Sequence, residues 1–448
     1  MNKRKLSLHM HADHRRIAAG AARVALFLLV GKFAGAAKEM AVAYRYGVSD
    51  VVDAYQFTLT LASWLPVTLV GVLSVILVPV LVKLRHTSGA AERILFLREL
   101  QGWAWLTGAL MGLALYMAWP WVLQTMGSNL SAASQHASSE LMWAFAPAAL
   151  LTLLTGISAA RLRAHERHVN TLLDSLPALC ILIAVLLAGS GQNVAPLLWG
   201  TLIGYLLQSV WQLHLSARAD GTQHTLPCPG WQAQPWPHLL QAAGIMLIGQ
   251  VAMSFVGPID QYMAARIGDN ANATLGYATR LLSLVLGLGA MSVGRAALPV
   301  LADIQARGEP DKARKTAIQW SLAMLGIGAI AVGLGWLLAP WGVALIFERG
   351  AFTPDDTRAV AQVVRWGLLQ LPFYFGVLIL VQLLASQQRY RIMAGIALAN
   401  FALKAAMTFI LAPIMGLTGI MLATALMYAL SYVCYVMAAL HIARTRIT

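Results

Sequence analysis

Residues 316–346 read TAIQWSLAMLGIGAIAVGLGWLLAPWGVALI, 31 positions without one ionisable side chain. A helix of that length exceeds the roughly 20 residues needed to cross the hydrocarbon core of a bilayer. The run is continuously apolar and does not alternate with period two. A helix, not a barrel strand, therefore satisfies its backbone groups in lipid. Working outward, eleven further runs of this kind lie at 17–43, 54–82, 100–123, 140–160, 171–188, 193–215, 238–265, 273–302, 359–386, 392–412 and 416–441. The fold class read from these runs is an all-α membrane protein of about twelve transmembrane helices.

The composition agrees. Of 448 residues, 59% are hydrophobic and only 11% charged. Soluble proteins carry about 25% charged residues, so this chain has too few to coat the surfaces of soluble domains, and a soluble enzyme is excluded. The net charge of +14 invites a nucleic-acid reading, but that needs cations clustered on a wet face. They are distributed otherwise. Lys3, Arg4, Lys5, Arg15 and Arg16 precede the first span, and Lys83, Arg85, Arg93 and Arg98 follow the second. Arg161, Arg163, Arg167, Arg218, Arg307, Lys312, Arg314, Lys315, Arg389, Arg391, Arg444 and Arg446 occupy the remaining loops of the same side. The opposite loops hold only Arg45, Arg266, Arg349 and Arg358. This asymmetry orients the protein with both termini in the cytoplasm, and no nucleic-acid partner is expected.

The longest hydrophilic connection, 216–237 (SARADGTQHTLPCPGWQAQPWP), splits the spans six and six. The expected organisation is an amino-terminal six-helix bundle (1–215), a cytoplasmic linker (216–237) and a carboxy-terminal six-helix bundle (238–448). The halves echo one another. Glu39, Arg45 and Gly47 fall on Asp260, Arg266 and Gly268 at a shift of 221, and VPVL at 78–81 falls on LPVL at 298–301 at a shift of 220. An even number of helices per half makes the repeat parallel, and transporters built this way bind substrate between the halves and rock them.

Seven basic residues fall within the spans: Arg23, Lys32, Lys38, Arg280, Arg295, Arg365 and Lys404, against two carboxylates, Glu39 and Asp260. Each ionised group at mid-bilayer costs on the order of 3 kcal/mol. The imbalance points to a cationic cavity and hence to an anionic substrate. The substrate-binding candidates are Lys32, Lys38, Arg280, Arg295 and Arg365, with Glu39 and Asp260 as coupling or orienting groups. Plainer readings stand beside these. Arg23, Lys38 and Lys404 lie where a long side chain can snorkel to the interface. Lys32 and Glu39, seven residues apart, also read as a structural pair. Arg280 and Arg295 project about 60° apart on one helix, so one cavity face can hold both. Pro66, Pro79, Pro147, Pro258, Pro299 and Pro372 mark kinks or breaks.

Other chemistry is absent from the sequence. Cys180, Cys228 and Cys434 are scattered, with neither disulfide nor metal spacing. There is no HExxH motif and no Walker loop, so neither a metal nor ATP is expected to drive the protein. No cleavable signal peptide is read at the amino terminus.

One outer loop is distinctive: Phe347-Glu348-Arg349-Gly350-Ala351-Phe352-Thr353, followed by Pro354-Asp355-Asp356. Its end reads as a helix start, with Thr353 as N-cap, Pro354 at N1 and two aspartates on the positive end of the dipole. The whole string resembles the FERGAFT-like segment of the MurJ/MviN family of lipid II flippases, within the multidrug/oligosaccharidyl-lipid/polysaccharide exporter superfamily. GKFAGAAKEMAVAYRYGVSDVVDAY at 31–55 resembles that family's first-helix pattern, with Lys32, Lys38, Glu39 and Asp53 at its charged positions. Tyr277-Ala278-Thr279-Arg280-Leu281 resembles its YAxRL, which places Arg280 at a cavity arginine.

The resemblance implies a polyprenyl-diphosphate-linked sugar as substrate, membrane lipids as surroundings, a monomer, and coupling to the membrane potential or to an H+ or Na+ gradient. It places Asp53 with the coupling or orienting groups. Two departures stand out. The family's basic pair in the second helix is replaced by apolar sequence around Trp64-Leu65-Pro66-Val67, a loss that Arg295 is expected to offset in part. Twelve spans are read where the family typically has fourteen. Both leave open an alternative cargo, an O-antigen or exopolysaccharide repeat unit. A cation-coupled drug exporter fits poorly, because it calls for a carboxylate-rich cavity.

Overall fold

In lipid, a backbone that leaves no N–H or C=O unbonded within its own segment is a helix, and helices are what the apolar runs become. The computed structural model describes residues 27 and 29–444 except 166, 168, 189–192, 223–224, 307–308 and 388. Among them lie fifteen helices and no strand: α1 (29–46), α2 (Asp50–Thr87), α3 (Ala90–Met126), α4 (Ala132–Ala164), α5 (Val169–Leu173), α6 (Leu176–Leu187), α7 (Ala195–Asp220), α8 (Trp236–Ser254), α9 (Val256–Ile267), α10 (Ala271–Ala306), α11 (Pro310–Phe347), α12 (Pro354–Leu368), α13 (Leu371–Ser386), α14 (Tyr390–Met415) and α15 (Leu417–Arg444). Seven of the described helices are singly long and apolar enough to span a bilayer, and α12 with α13, bent by 41°, makes an eighth.

The excess of helices over expected spans has one cause. Three runs, 171–188, 238–265 and 359–386, each fold as two helices. The first members end at Leu173, Ser254 and Leu368, each four residues ahead of a proline: Pro177, Pro258 and Pro372. A proline ring clashes with the carbonyl four residues back and offers it no N–H, so the helix stops there and restarts. Of the prolines expected to kink or break their helices, Pro66, Pro79, Pro147 and Pro299 lie within continuous ones and mark no break.

The helices pack as two units. The first comprises residues up to Val42, Leu65–Trp119 and Ser139–Leu247; the second comprises Ala43–Trp64, Pro120–Ser138 and residues from Ile248 onward. These units cut across the two halves read from the sequence, because 43–64 and 120–138 of the amino-terminal half pack with the carboxy-terminal one.

Within the first unit, Gly108 and Gly112 of α3 bring that helix against Leu150 and Ala146 of α4, and Gly200 and Gly204 of α7 bring it against Ile181 and Pro177 of α6. Both are GxxxG pairs, the spacing that lets helices approach where no hydrophobic effect drives them together. Leu77, Phe96, Leu154 and Trp236 centre its core. The second unit has its own, built on Leu380, Leu383, Leu384 and Tyr435.

The connection expected as a plain linker is a packed strap of the first unit. Glu99 of α3 accepts from the backbone N–H of Gln232 and Ala233 and from Trp236 Nε1, at 2.9, 3.1 and 2.7 Å. Trp103 Nε1 donates to the Gly230 carbonyl at 2.9 Å. Trp231 lies against both Trp103 and Trp236.

Candidate functional site

Of the charges within the spans, Arg23 lies outside the described residues, and so does the Arg295 side chain on α10. The structure sorts the others by what each touches.

In the first unit, Lys38 and Glu39 of α1 are 6% and 7% exposed, and Lys38 Nζ sits 2.7 Å from Glu39 Oε1. Neighbours in sequence point about 100° apart on a helix, so this pair forms because the lysine stem is long enough to fold back. The expected Lys32–Glu39 pairing and the snorkelling of Lys38 are both replaced by this buried contact. Lys32, half-buried on the same helix, makes no hydrogen bond or ion pair with the described residues.

In the second unit, Lys404 of α14 is wholly buried, at 0% exposure, where snorkelling was the plainer expectation. Its ammonium lies 2.8 Å from Asp260 Oδ1 of α9 and donates to the Ile420 carbonyl of α15 at 3.0 Å. Thr424 Oγ1 donates to the same carbonyl at 3.2 Å. Three helices are thus joined at one charge. A buried cation is tolerated only when paired and hydrogen-bonded, and Lys404 is both. Asp260 therefore holds a lysine.

Arg365, in the last turn of α12, donates from Nε to the Trp336 carbonyl at 2.9 Å. Pro340 lies inside α11, four residues beyond that carbonyl, and cannot supply its helical N–H. Arg365 fills that vacancy. Its contact is structural, and the sequence held no signal for it beyond the proline itself. Arg280 is half-buried on α10.

The two intramembrane carboxylates are therefore each taken by a lysine, one of which was expected to snorkel away. Besides those two lysines, the intramembrane cations on described side chains are Lys32, Arg280 and the carbonyl-bound Arg365.

Motifs far apart in sequence meet in the second unit. Tyr277 is fully buried, its ring 5.1 Å from that of Phe347 and 5.3 Å from that of Phe352. Its hydroxyl donates to the Gly47 carbonyl at 2.9 Å. Ala351 N–H donates to the Tyr44 carbonyl at 2.8 Å. Gly47 and Gly350 have φ of 58° and 62°, and a Cβ on either would strike the facing backbone, Ala351 for one and Tyr44 for the other. Both demands select glycine.

Asp53, buried near the start of α2, accepts from Ala273 N–H at 3.0 Å and from Asn272 Nδ2 at 3.4 Å. It satisfies backbone donors at the amino-terminal end of α10, where a carboxylate also meets the positive end of the dipole. Thr353 caps α12 as expected: Asp356 N–H donates to its Oγ1 at 3.2 Å, and Asp356 Oδ2 accepts from Thr353 N–H at 2.8 Å.

The apolar stretch at 64–67 has a structural task. Trp64 Nε1 donates to Ser254 Oγ at 2.9 Å, and its ring lies 4.3 Å from that of Phe255, at the break between α8 and α9. An indole thus covers the break between α8 and α9.

A sequence model of the family described as lipid II flippase MurJ matches residues 42–445. A probable lipid II flippase MurJ of Bdellovibrio bacteriovorus is 30% identical over 231 residues, which is 50% of this chain but only 43% of that protein. A probable lipid II flippase MurJ of Synechocystis is 26% identical over 438 residues, 92% of this chain and 79% of that one. Among solved structures, a lipid II flippase MurJ in an inward closed conformation superposes with a TM-score of 0.79 at 19% identity, over 93% of this chain and 87% of that one. With the family model covering nearly the whole chain, this protein belongs to the MurJ family of lipid II flippases.

Proposed function

We propose that the protein moves a polyprenyl-diphosphate-linked sugar, of the lipid II kind, from the cytoplasmic to the outer leaflet of a bacterial inner membrane by alternating access. The observation that carries this reading is the family match over residues 42–445. The charge inventory supports it independently. Besides the two lysines that lie against the carboxylates, Lys32 and Arg280 are the cations offered to a diphosphate, with Arg295 as a further donor. Lys38 acts through its pair with Glu39, and Arg365 through the α11 carbonyl.

Both termini face the cytoplasm in this reading, and the two halves rock about the substrate as a monomer. The membrane potential or an H+ or Na+ gradient drives the cycle, and no covalent step or cofactor takes part. The cluster of Asp53, Tyr277, Phe347 and Phe352 then lies on the outer side. Its hydrogen bonds from Asp53 to α10 and from Tyr277 to Gly47 hold that end of the second unit together.

Complementation tests this reading. A strain depleted of its own lipid II flippase should regain growth when this chain is expressed. Failure of growth with normal membrane levels, together with rescue of an O-antigen or exopolysaccharide flippase mutant, would move the assignment to that cargo. The sealed Trp64 stretch, which lacks the family's basic pair, is the feature that favours that second reading.

A further inference from the structure

The cytoplasmic end of the first unit holds a cavity of about 560 Å³, separate from the charges discussed above. It is walled by α3, by the last turns of α4 and α7, and by the start of the strap. Leu97, Arg98, Gln101 and Trp105 line it from α3, Arg161 from α4, and His214 from α7. The volume is that of a small-ligand site.

A buried network forms its floor. Arg161, which sequence alone groups with the loop cations, is buried. It donates from Nε to Asp220 Oδ2 at 2.7 Å, from Nη1 to Gln101 Oε1 at 3.0 Å and from Nη2 to Thr222 Oγ1 at 2.9 Å. His165 Nε2 lies 2.6 Å from Asp220 Oδ1. Both oxygens of Asp220 are thereby occupied, and no carboxylate lines the cavity among the described residues.

What remains is a set of donors. Because Gln101 Oε1 accepts from Arg161, its amide is fixed with Nε2 turned the other way. That nitrogen is buried in a residue only 9% exposed, and no acceptor among the described residues meets it. A buried unpaired donor costs about 1–3 kcal/mol, and an acceptor from outside the chain would remove that cost. Thr222 Oγ1 accepts from Arg161, which leaves its proton free to donate. The exposed Arg98 guanidinium stands on the rim.

Next to this set, Trp105, Leu106, Leu110 and Leu113 of α3 and Leu207, Val210 and Trp211 of α7 are exposed apolar side chains. An aromatic belt beside a cationic rim is the setting of a lipid headgroup.

We propose that this cavity binds the phosphodiester of an anionic phospholipid of the cytoplasmic leaflet, held by Arg98, Gln101 Nε2 and the Thr222 hydroxyl, with the acyl chains along the exposed faces of α3 and α7. The bound lipid completes the network that fastens the strap to α3. This site lies wholly within the first unit and does not depend on what the protein transports.

The test uses the full chain purified in detergent and titrated with dioleoyl-phosphatidylglycerol or dioleoyl-phosphatidylcholine, with bound lipid counted by native mass spectrometry. The glycerol lipid should be retained about tenfold better, because its uncharged glycerol leaves the phosphate a net negative charge beside Arg98, whereas choline brings a cation that Arg98 repels. Arg98→Ala should erase most of that preference. Gln101→Glu should do the same, because it keeps an oxygen for Arg161 but sets a carboxylate where the free amide stood. If Gln101→Glu does not fold, Arg98→Ala decides alone, since that side chain is exposed and outside the buried network. Equal retention of the two lipids, or an unchanged preference in Arg98→Ala, would overturn the site. Displacement by millimolar inorganic phosphate as readily as by phosphatidylglycerol would show a free-anion site and overturn the lipid assignment.

Discussion

Lys404→Met should cost about 3–5 kcal/mol, the range for breaking a buried ion pair by removing one partner. The substitution keeps the length of the side chain and removes only the ammonium. Asp260 then faces a buried site without its cation, and α9, α14 and α15 lose the charge that joins them. The Ile420 carbonyl keeps Thr424, so the loss centres on the carboxylate. The protein should accumulate poorly in the membrane and unfold at lower temperature when purified. The double variant Lys404→Met/Asp260→Asn should recover most of that loss, because replacing a whole buried pair with neutral groups is often near neutral. Fluorescence-detected size exclusion with a thermal ramp reads both. A single variant as stable as the wild type would mean that the pair contributes nothing.

Removing Lys32 or Arg280 should do the opposite: it should spare the fold and abolish transport. Arg280→Ala and Lys32→Ala each delete a donor to the diphosphate. A hydrogen bond to a charged group is worth about 1.5–3 kcal/mol, so affinity should fall by roughly 10–100-fold. Both side chains are only half-buried, so membrane levels should stay near normal while growth of the depleted strain is lost. Arg280→Lys should retain part of the activity if charge matters most, and little if the planar fork of guanidinium is required. Lys38→Ala provides the contrast. It removes the ammonium beside the buried Glu39 carboxylate and should lower protein levels as well as growth. Immunoblotting of membranes alongside growth curves separates the two kinds of failure.

The spans were legible because the bilayer demands long apolar runs, and the run at 316–346 became one continuous helix, α11. The breaks were only partly legible. Pro258 and Pro372 ended helices, but Pro66, Pro79, Pro147 and Pro299 did not. A membrane helix survives a proline when another group takes up the orphaned carbonyl, as Arg365 does for Trp336 across from Pro340. That compensation depends on a neighbouring helix and leaves no local trace in the chain. Pairing was illegible for the same reason. Lys32 and Glu39 had the right spacing for one helix face, but Glu39 took the adjacent Lys38, and Asp260 found Lys404 more than a hundred residues away. The outer motifs were recognisable as strings, yet their meeting around Tyr277, with Gly47 and Gly350 packed against facing backbone, is a property of the fold.

Translocation by the purified protein tests the central claim most directly. Reconstituted vesicles carrying lipid II in one leaflet should transfer it to the other faster than protein-free vesicles, and the Arg280→Ala protein should fall to the protein-free rate. Wild-type vesicles no faster than empty ones, or an Arg280→Ala protein as fast as the wild type, would contradict the account.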